Sequence, residues 1–186
     1  MDRKKLFIMS LLLTIILSPV QAPAKNLVFG IEGGYFTPGN SLFKDIYGSG
    51  GLCYGVNGAF FLTQNLSAQA GFDMYSADGT IPGTDNATSL KLSALRLGMF
   101  YHFDMKKFMP KIGAGAVYAG VKETNVFGDF SDSGIGFFVG TGFDYRLTEV
   151  FLVGADLIYH GAKIEGDFGD ESVGGISLLF SLKVEM

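Results

Sequence analysis

A single cysteine, Cys53, in a chain of 186 residues excludes an internal disulfide and a cysteine-rich metal site. Two histidines, His102 and His160, are too few for an ordinary histidine cluster around a metal. Tryptophan is missing and proline is limited to five residues. Beyond residue 17 no apolar run approaches the roughly 20 residues that a helix needs to span a bilayer. Positive charge is scarce outside the first five residues. Without Asp2, Arg3, Lys4 and Lys5, the chain holds 11 Lys and Arg against 17 Asp and Glu, a balance of −6. That argues against nucleic acid as a partner, since phosphate binding needs a basic face.

The segment at the start is a leader pattern. Met1–Lys5 carries three cations, Leu6–Leu17 is an apolar run of twelve residues, and Ser18–Ala24 ends in Ala22-Pro23-Ala24. Charged start, short apolar core and A-x-A exit predict a secretory signal peptide over 1–24. The expected cut follows Ala24, because a cut after Ala22 would put Pro23 just past the scissile bond. Twelve apolar residues are too few for a helical membrane anchor, and no cysteine follows them to take a lipid. Lys25–Met186, 162 residues, fits one domain.

That domain is rich in what strands use. The chain holds 27 glycines, 18 Phe and 8 Tyr, and glycine and aromatics without helical periodicity point to an all-β structure. Eight segments alternate with period two: Leu27–Thr37, Gly51–Leu62, Leu66–Tyr75, Ser89–Phe103, Met109–Val121, Ile135–Arg146, Phe151–His160 and Gly174–Met186. Many are about ten residues long, the length of a tilted membrane strand. In the fourth, the apolar phase shifts before Ala94, from Leu90 and Leu92 to Leu95 and Leu97, which predicts a β-bulge. Thr63-Gln64-Asn65, Asp104–Phe108 and Leu147-Thr148-Glu149 are short connections, whereas Pro38–Gly50, Ala77–Thr88, Lys122–Asp132 and Lys163–Ser172 are longer and polar. Short turns on one side and long loops on the other describe an eight-stranded antiparallel up-and-down transmembrane β-barrel over 25–186, with both termini on the short-turn side.

Alternation alone does not say which face is outside, but the companion face does. It holds glycine together with Glu32, Asp73, Arg96, Lys111, Asp144, Arg146, Asp156 and Lys183. Unpaired charges cannot fill a dry core, so the apolar face is expected outside, against lipid. Tyr35, Tyr54, Tyr101, Phe103, Tyr145, Phe151 and Tyr159 lie near strand ends, where interface girdles form. Glu32, Arg96, Lys111, Asp144, Arg146 and Lys183 are expected in the short-turn half of the lumen, with Asp156 higher. In so narrow a barrel these seven charges should form a structural, hydrogen-bonded plug; a gated ion path is the alternative.

Leu27–Pro38 (LVFGIEGGYFTP), Phe43–Gly50 (FKDIYGSG), Gly113–Gly120 (GAGAVYAG) and Ser133–Glu149 (SGIGFFVGTGFDYRLTE) resemble the bacterial outer-membrane β-barrel family, the small eight-stranded OmpA/OmpX-like barrels. The resemblance covers the whole chain after the leader and concerns architecture more than activity. It implies outer-membrane lipids and lipopolysaccharide as surroundings, and the barrel assembly machinery as a partner through the C-terminal strand. The chain departs from the family at Met186, where such barrels commonly end in Phe.

Catalytic, metal and cofactor sites are not expected. His160 invites comparison with lipid A deacylases, but a serine two residues on would be needed and Ala162 stands there. The acidic stretch Glu165–Glu171, with Asp129 and Asp132, does not have the spacing of an EF-hand and reads as solvated charge or divalent bridging to lipopolysaccharide. Gly136, Gly140 and Gly142 precede no helix, so they read as inward glycines rather than a nucleotide loop. Cys53 reads as inward and inert. The expected function is a monomeric, non-enzymatic outer-membrane barrel with a structural or surface-interaction role. A small pore, a lipid-modifying barrel enzyme and a soluble periplasmic barrel for an apolar ligand are the rivals.

Overall fold

The computed structural model describes residues 26–186 apart from 82, 85, 104, 167 and 168, and describes no side chains at 42 and 165–172. The expected signal peptide therefore lies outside the described residues, as do the side chains of the acidic stretch Glu165–Glu171. Eight strands, β1 (Leu27–Pro38), β2 (Gly51–Phe61), β3 (Leu66–Thr80), β4 (Ala87–His102), β5 (Phe108–Asn125), β6 (Gly128–Arg146), β7 (Phe151–Gly166) and β8 (Gly169–Glu185), pair with their sequence neighbours, and β8 pairs with β1. The result is a closed antiparallel barrel in which no strand edge is left for another chain.

Local chemistry explains the short-turn end. Thr63 Oγ1 accepts from the Asn65 and Leu66 N–H groups (3.3 and 3.0 Å), and Thr148 Oγ1 accepts from those of Val150 and Phe151 (3.2 and 3.0 Å). Threonine thus closes two of these turns in the same way. At the opposite end the strands run further than the alternation pattern predicts. The polar stretches Ala77–Thr88 and Lys122–Asp132 are largely ladder: Thr80 pairs with Ala87, and Asn125 with Gly128 across a two-residue turn. Gly128, with φ of 130°, supplies the backbone conformation that so tight a turn demands.

The expected bulge in β4 is absent. Its register with β3 runs unbroken from Leu66↔Tyr101 to Thr80↔Ala87. What shifts is the polarity of the two faces. Below Ala94, Leu95, Leu97, Met99 and Tyr101 point outward; above it Leu90 and Leu92 point inward and are 2% and 8% exposed. β5 and β7 invert likewise, with Ala116 and Leu157 outside low on the strand but Val117, Ala119, Ala162 and Ile164 buried inside higher up. In its lower half the barrel is apolar outside, as expected of a membrane wall. In its upper half it is apolar inside, as a barrel in water must be.

The long connection between β1 and β2 holds a helix that alternation did not reveal, α1 (Ser41–Tyr47). Phe43, Ile46 and Tyr47 share one face by their three- and four-residue spacing and pack on the core cluster at the barrel mouth. Gly48, with φ of 84°, ends the helix and donates its N–H to the Lys44 carbonyl at 2.9 Å.

Candidate functional site

Glycines on the inward face make room for long charged side chains. A Cβ at Gly71 would stand 2.8 Å from Arg96 Nη2, and one at Gly30 would stand 2.7 Å from Lys183 Cγ. The strands around this space supply two ionic clusters, one from each side of the wall. On the β1–β4 side, Arg96 donates from Nη2 to Glu32 Oε1 and from Nε to Asp73 Oδ2, both at 2.7 Å, and Asn57 donates to Glu32 Oε2 at 2.6 Å. On the β5–β8 side, Lys111 Nζ lies 2.9 Å from Asp156 and 3.2 Å from Asp144, while Lys183 Nζ lies 2.5 Å from Asp144 and 3.7 Å from Asp156. Lys111 also stands 5.8 Å above the centre of the Phe100 ring. Every one of these ionic side chains is at most 11% exposed.

Six of the seven charges singled out in the sequence thus meet in the lumen: Glu32, Arg96, Lys111, Asp144, Asp156 and Lys183. The seventh, Arg146, sits apart at the short-turn mouth, where it pairs with Glu185 at 2.8 Å and keeps a 39% exposed side chain. Asp156 stands two positions beyond the row of Asp144 on β7 and completes the lysine cluster. The clusters differ in balance, since two lysines face two aspartates in one and a single guanidinium serves two carboxylates in the other. Asp73 shared the inward face in the sequence, but nothing there paired Asn57 with the Glu32 carboxylate or Glu185 with Arg146.

Below the clusters a cavity of about 620 Å³ opens toward the short turns, lined by His102, Asp144, Arg146, Lys183 and Glu185 among others. One pocket of about 20 Å³ lies among the clusters and another just above Asp73, room for roughly one water each. Higher still the lumen is apolar. Phe36, Tyr75, Leu90 and Leu92 fill it, and α1 closes it, with Phe43 packed 5.1 Å from Tyr47 and 6.5 Å from Tyr75 between ring centres. Thr88 gives its hydroxyl proton to Glu123 at 3.0 Å, so Tyr47 is the donor in its 3.1 Å contact with Thr88. Burial pushes the Tyr47 phenol up to about 12, with the Glu123 carboxylate adding to the rise and the Thr88 bond opposing it.

Neither histidine carries a catalytic arrangement. His160 lies on the inward face of β7. It is 8% exposed and lies flat against Phe36, 5.5 Å between centres at 9°, and its Nδ1 has no hydrogen-bond partner among the described residues. His102 Nε2 touches Ser67 Oγ at 2.8 Å, a serine–imidazole contact, but Ser67 is 0% exposed and no carboxylate among the described residues holds His102 Nδ1. Among the described residues no three His, Cys, Asp or Glu side chains converge as a metal ligand set. The arrangement pairs buried charge across the lumen in two clusters.

Residues 9–183 match the family described as outer membrane protein beta-barrel domain. No curated protein matched the sequence. Among solved structures, Neisserial surface protein A superposes with a TM-score of 0.70 at 17% identity, over 86% of this chain and 97% of that one. The N-terminal β-barrel domain of Pseudomonas aeruginosa OprF gives 0.57 at 16%, over 87% and 98%. Ail, the attachment invasion locus protein of Yersinia pestis, in complex with the heparin analogue sucrose octasulfate, gives 0.54 at 13%, over 86% and 98%. At such identities the likeness is one of fold.

Proposed function

The chain belongs to the outer membrane protein beta-barrel domain family, and from that premise we propose that it is a monomeric, non-enzymatic barrel of the outer membrane that acts through its outward-projecting surface. The short turns and both termini lie on the periplasmic side, and the long hairpins with α1 face the exterior. β8 is the strand offered to the assembly machinery, and the lower wall meets outer-membrane lipids. One observation carries the reading: polarity inverts along β4, β5 and β7, so that an apolar outer band gives way to an apolar, capped interior. A wall of that kind suits a barrel half in lipid and half in water, with interaction placed on the upper half. Neisserial surface protein A and the attachment invasion locus protein bear names of the same tenor. Cell fractionation with a heat-modifiability gel tests it. The expected result is an outer-membrane band that migrates faster unheated than boiled; a soluble periplasmic protein would overturn the reading.

A gated pore is the second reading, and the 620 Å³ vestibule ending on ion pairs is what favours it. Planar-bilayer conductance separates the two. Closed membranes support the plug, while discrete channels that grow in Arg96→Ala support the pore.

A further inference from the structure

The registers of β3 to β6 line up outward side chains in rows across the ladders. Phe72, Leu95, Tyr118 and Ile135 stand directly opposite one another and form the top of the apolar band. Two residues higher, the row is Met74, Ser93, Gly120 and Ser133. Two higher again it is Ser76, Lys91, Lys122 and Ser131. Lys91 and Lys122 are therefore a directly opposed cross-strand pair on one face, with Cβ atoms about 5 Å apart, an arrangement of like charges that repels.

Nothing in the described structure neutralises both. Lys122 reaches Asp129 at 3.1 Å, with both side chains more than half exposed. Lys91 has no carboxylate at ion-pair distance among the described residues. The two lysines overlook a surface groove of about 410 Å³. Its middle is hollow because Gly120 has no side chain; a Cβ there would stand 2.9 Å from Ser93 Oγ. Hydroxyls border it, with Tyr118 donating to Ser133 Oγ at 2.8 Å, and Asp132 turns its carboxylate to the Ser133 N–H at 2.6 Å. Cations above, hydroxyls around a hollow and apolar side chains beneath form one amphipathic column on the outer wall.

We propose that this groove binds the phosphorylated sugar headgroup of an outer-leaflet glycolipid. The phosphate lies between Lys91 and Lys122, where it turns their repulsion into two charge-assisted hydrogen bonds. Ser93 and Ser131 meet the sugar hydroxyls, and the acyl chains run down over Phe72, Leu95 and Tyr118. The inference rests on the outer-membrane orientation proposed above.

The test is native mass spectrometry of the detergent-released barrel against three lipids: bisphosphorylated lipid A, the same lipid A dephosphorylated, and phosphatidylglycerol. The wild type is expected to retain phosphorylated lipid A about tenfold better than either competitor, which corresponds to 1.4 kcal/mol. Lys91→Gln/Lys122→Gln should lose that preference, whereas Lys163→Gln, outward on β7, should keep it. Equal retention of the dephosphorylated lipid, equal retention of phosphatidylglycerol, or an undiminished preference in the double variant would each overturn the site. A heat-modifiability gel on the same samples reports the membrane barrel independently. A shifted band with no lipid preference sinks the groove alone, and a band that does not shift sinks the orientation with it.

Discussion

Replacing Arg96 by alanine removes the cation that, alone among the described residues, pairs with both Glu32 and Asp73. Both 2.7 Å bonds vanish, and two carboxylates remain facing each other in a lumen where their side chains are 2% and 11% exposed. The loss is larger than that of a surface pair because water cannot freely replace the guanidinium. Breaking a buried ion pair by removing one partner costs about 3–5 kcal/mol. By contrast, Arg146→Ala strips a pair at the open mouth, where the arginine is 39% exposed, and should cost about 1 kcal/mol or less. The expected sign reverses when the whole cluster goes: Glu32→Gln/Asp73→Asn/Arg96→Met removes charge and partner together and should recover to within about 1 kcal/mol of the wild type. Denaturant unfolding of the barrel in lipid vesicles, followed by circular dichroism and band shift, measures all three. A loss below about 1 kcal/mol in Arg96→Ala would refute the reasoning. So would a triple variant as weak as the single one, since the cost would then be lost packing rather than stranded charge.

Other perturbations probe the wall and the cap. Leu97→Arg puts a charge near the middle of the lipid-facing band and should destabilise by about 2–4 kcal/mol, whereas Ser93→Arg, four residues higher on the same face, should be nearly neutral. Leu90→Asp, one strand position from exposed Lys91 but pointing inward, should cost at least about 2 kcal/mol in the same unfolding assay. A valine at Gly113 would meet the Phe100 ring, whose Cδ1 is 2.6 Å from the place of a Cβ, and this overpacking should cost about 1–3 kcal/mol. Tyr47 sits above its ordinary value of 10.0, at about 12, so the docking of α1 is complete below pH 10 and weakens as pH rises toward 12. The difference in tyrosinate absorbance between the wild type and Tyr47→Phe should show a titration near 12; a midpoint at 10 would mean that the cap is not docked.

The eight strands were legible because lipid imposes a strict period of two over the lower wall. Phe137, Val139, Thr141, Phe143 and Tyr145 against Gly136, Gly140, Gly142 and Asp144 leave little choice of face. The upper wall was not legible in the same way. There Ser89, Lys91 and Ser93 outside and Leu90, Leu92 inside obey the same period with the faces exchanged, so the change looked like an inserted residue. Only the unbroken register with β3 separates an inversion from a bulge. The helix α1 hid for a different reason. At seven residues it is too short for helical periodicity to stand out, although Phe43, Ile46 and Tyr47 carry its spacing. The inward charges were readable, but their partners were not. Which inward rows coincide across a closed wall is set by the register of all eight strands together, so nothing local joins Glu32 to Arg96, 64 residues away.

The inversion also fixes what the hairpins can do. If the apolar band ends at Tyr118, the seven residues from there to Asn125 add roughly 24 Å of strand beyond it at about 3.4 Å per residue. This is no slack loop, because the ladder with β6 continues to Asn125↔Gly128. A paired ribbon therefore holds its tip, where Val126 and Phe127 are 62% and 75% exposed, well beyond the apolar band. Sealing the lumen and stiffening the hairpins have one physical origin. Above the lipid the wall needs an apolar interior to stand in water, and the side chains that fill that interior also narrow the axis. On the plugged reading proposed above, whatever the barrel recognises is met on its outer wall and hairpin tips rather than through its axis.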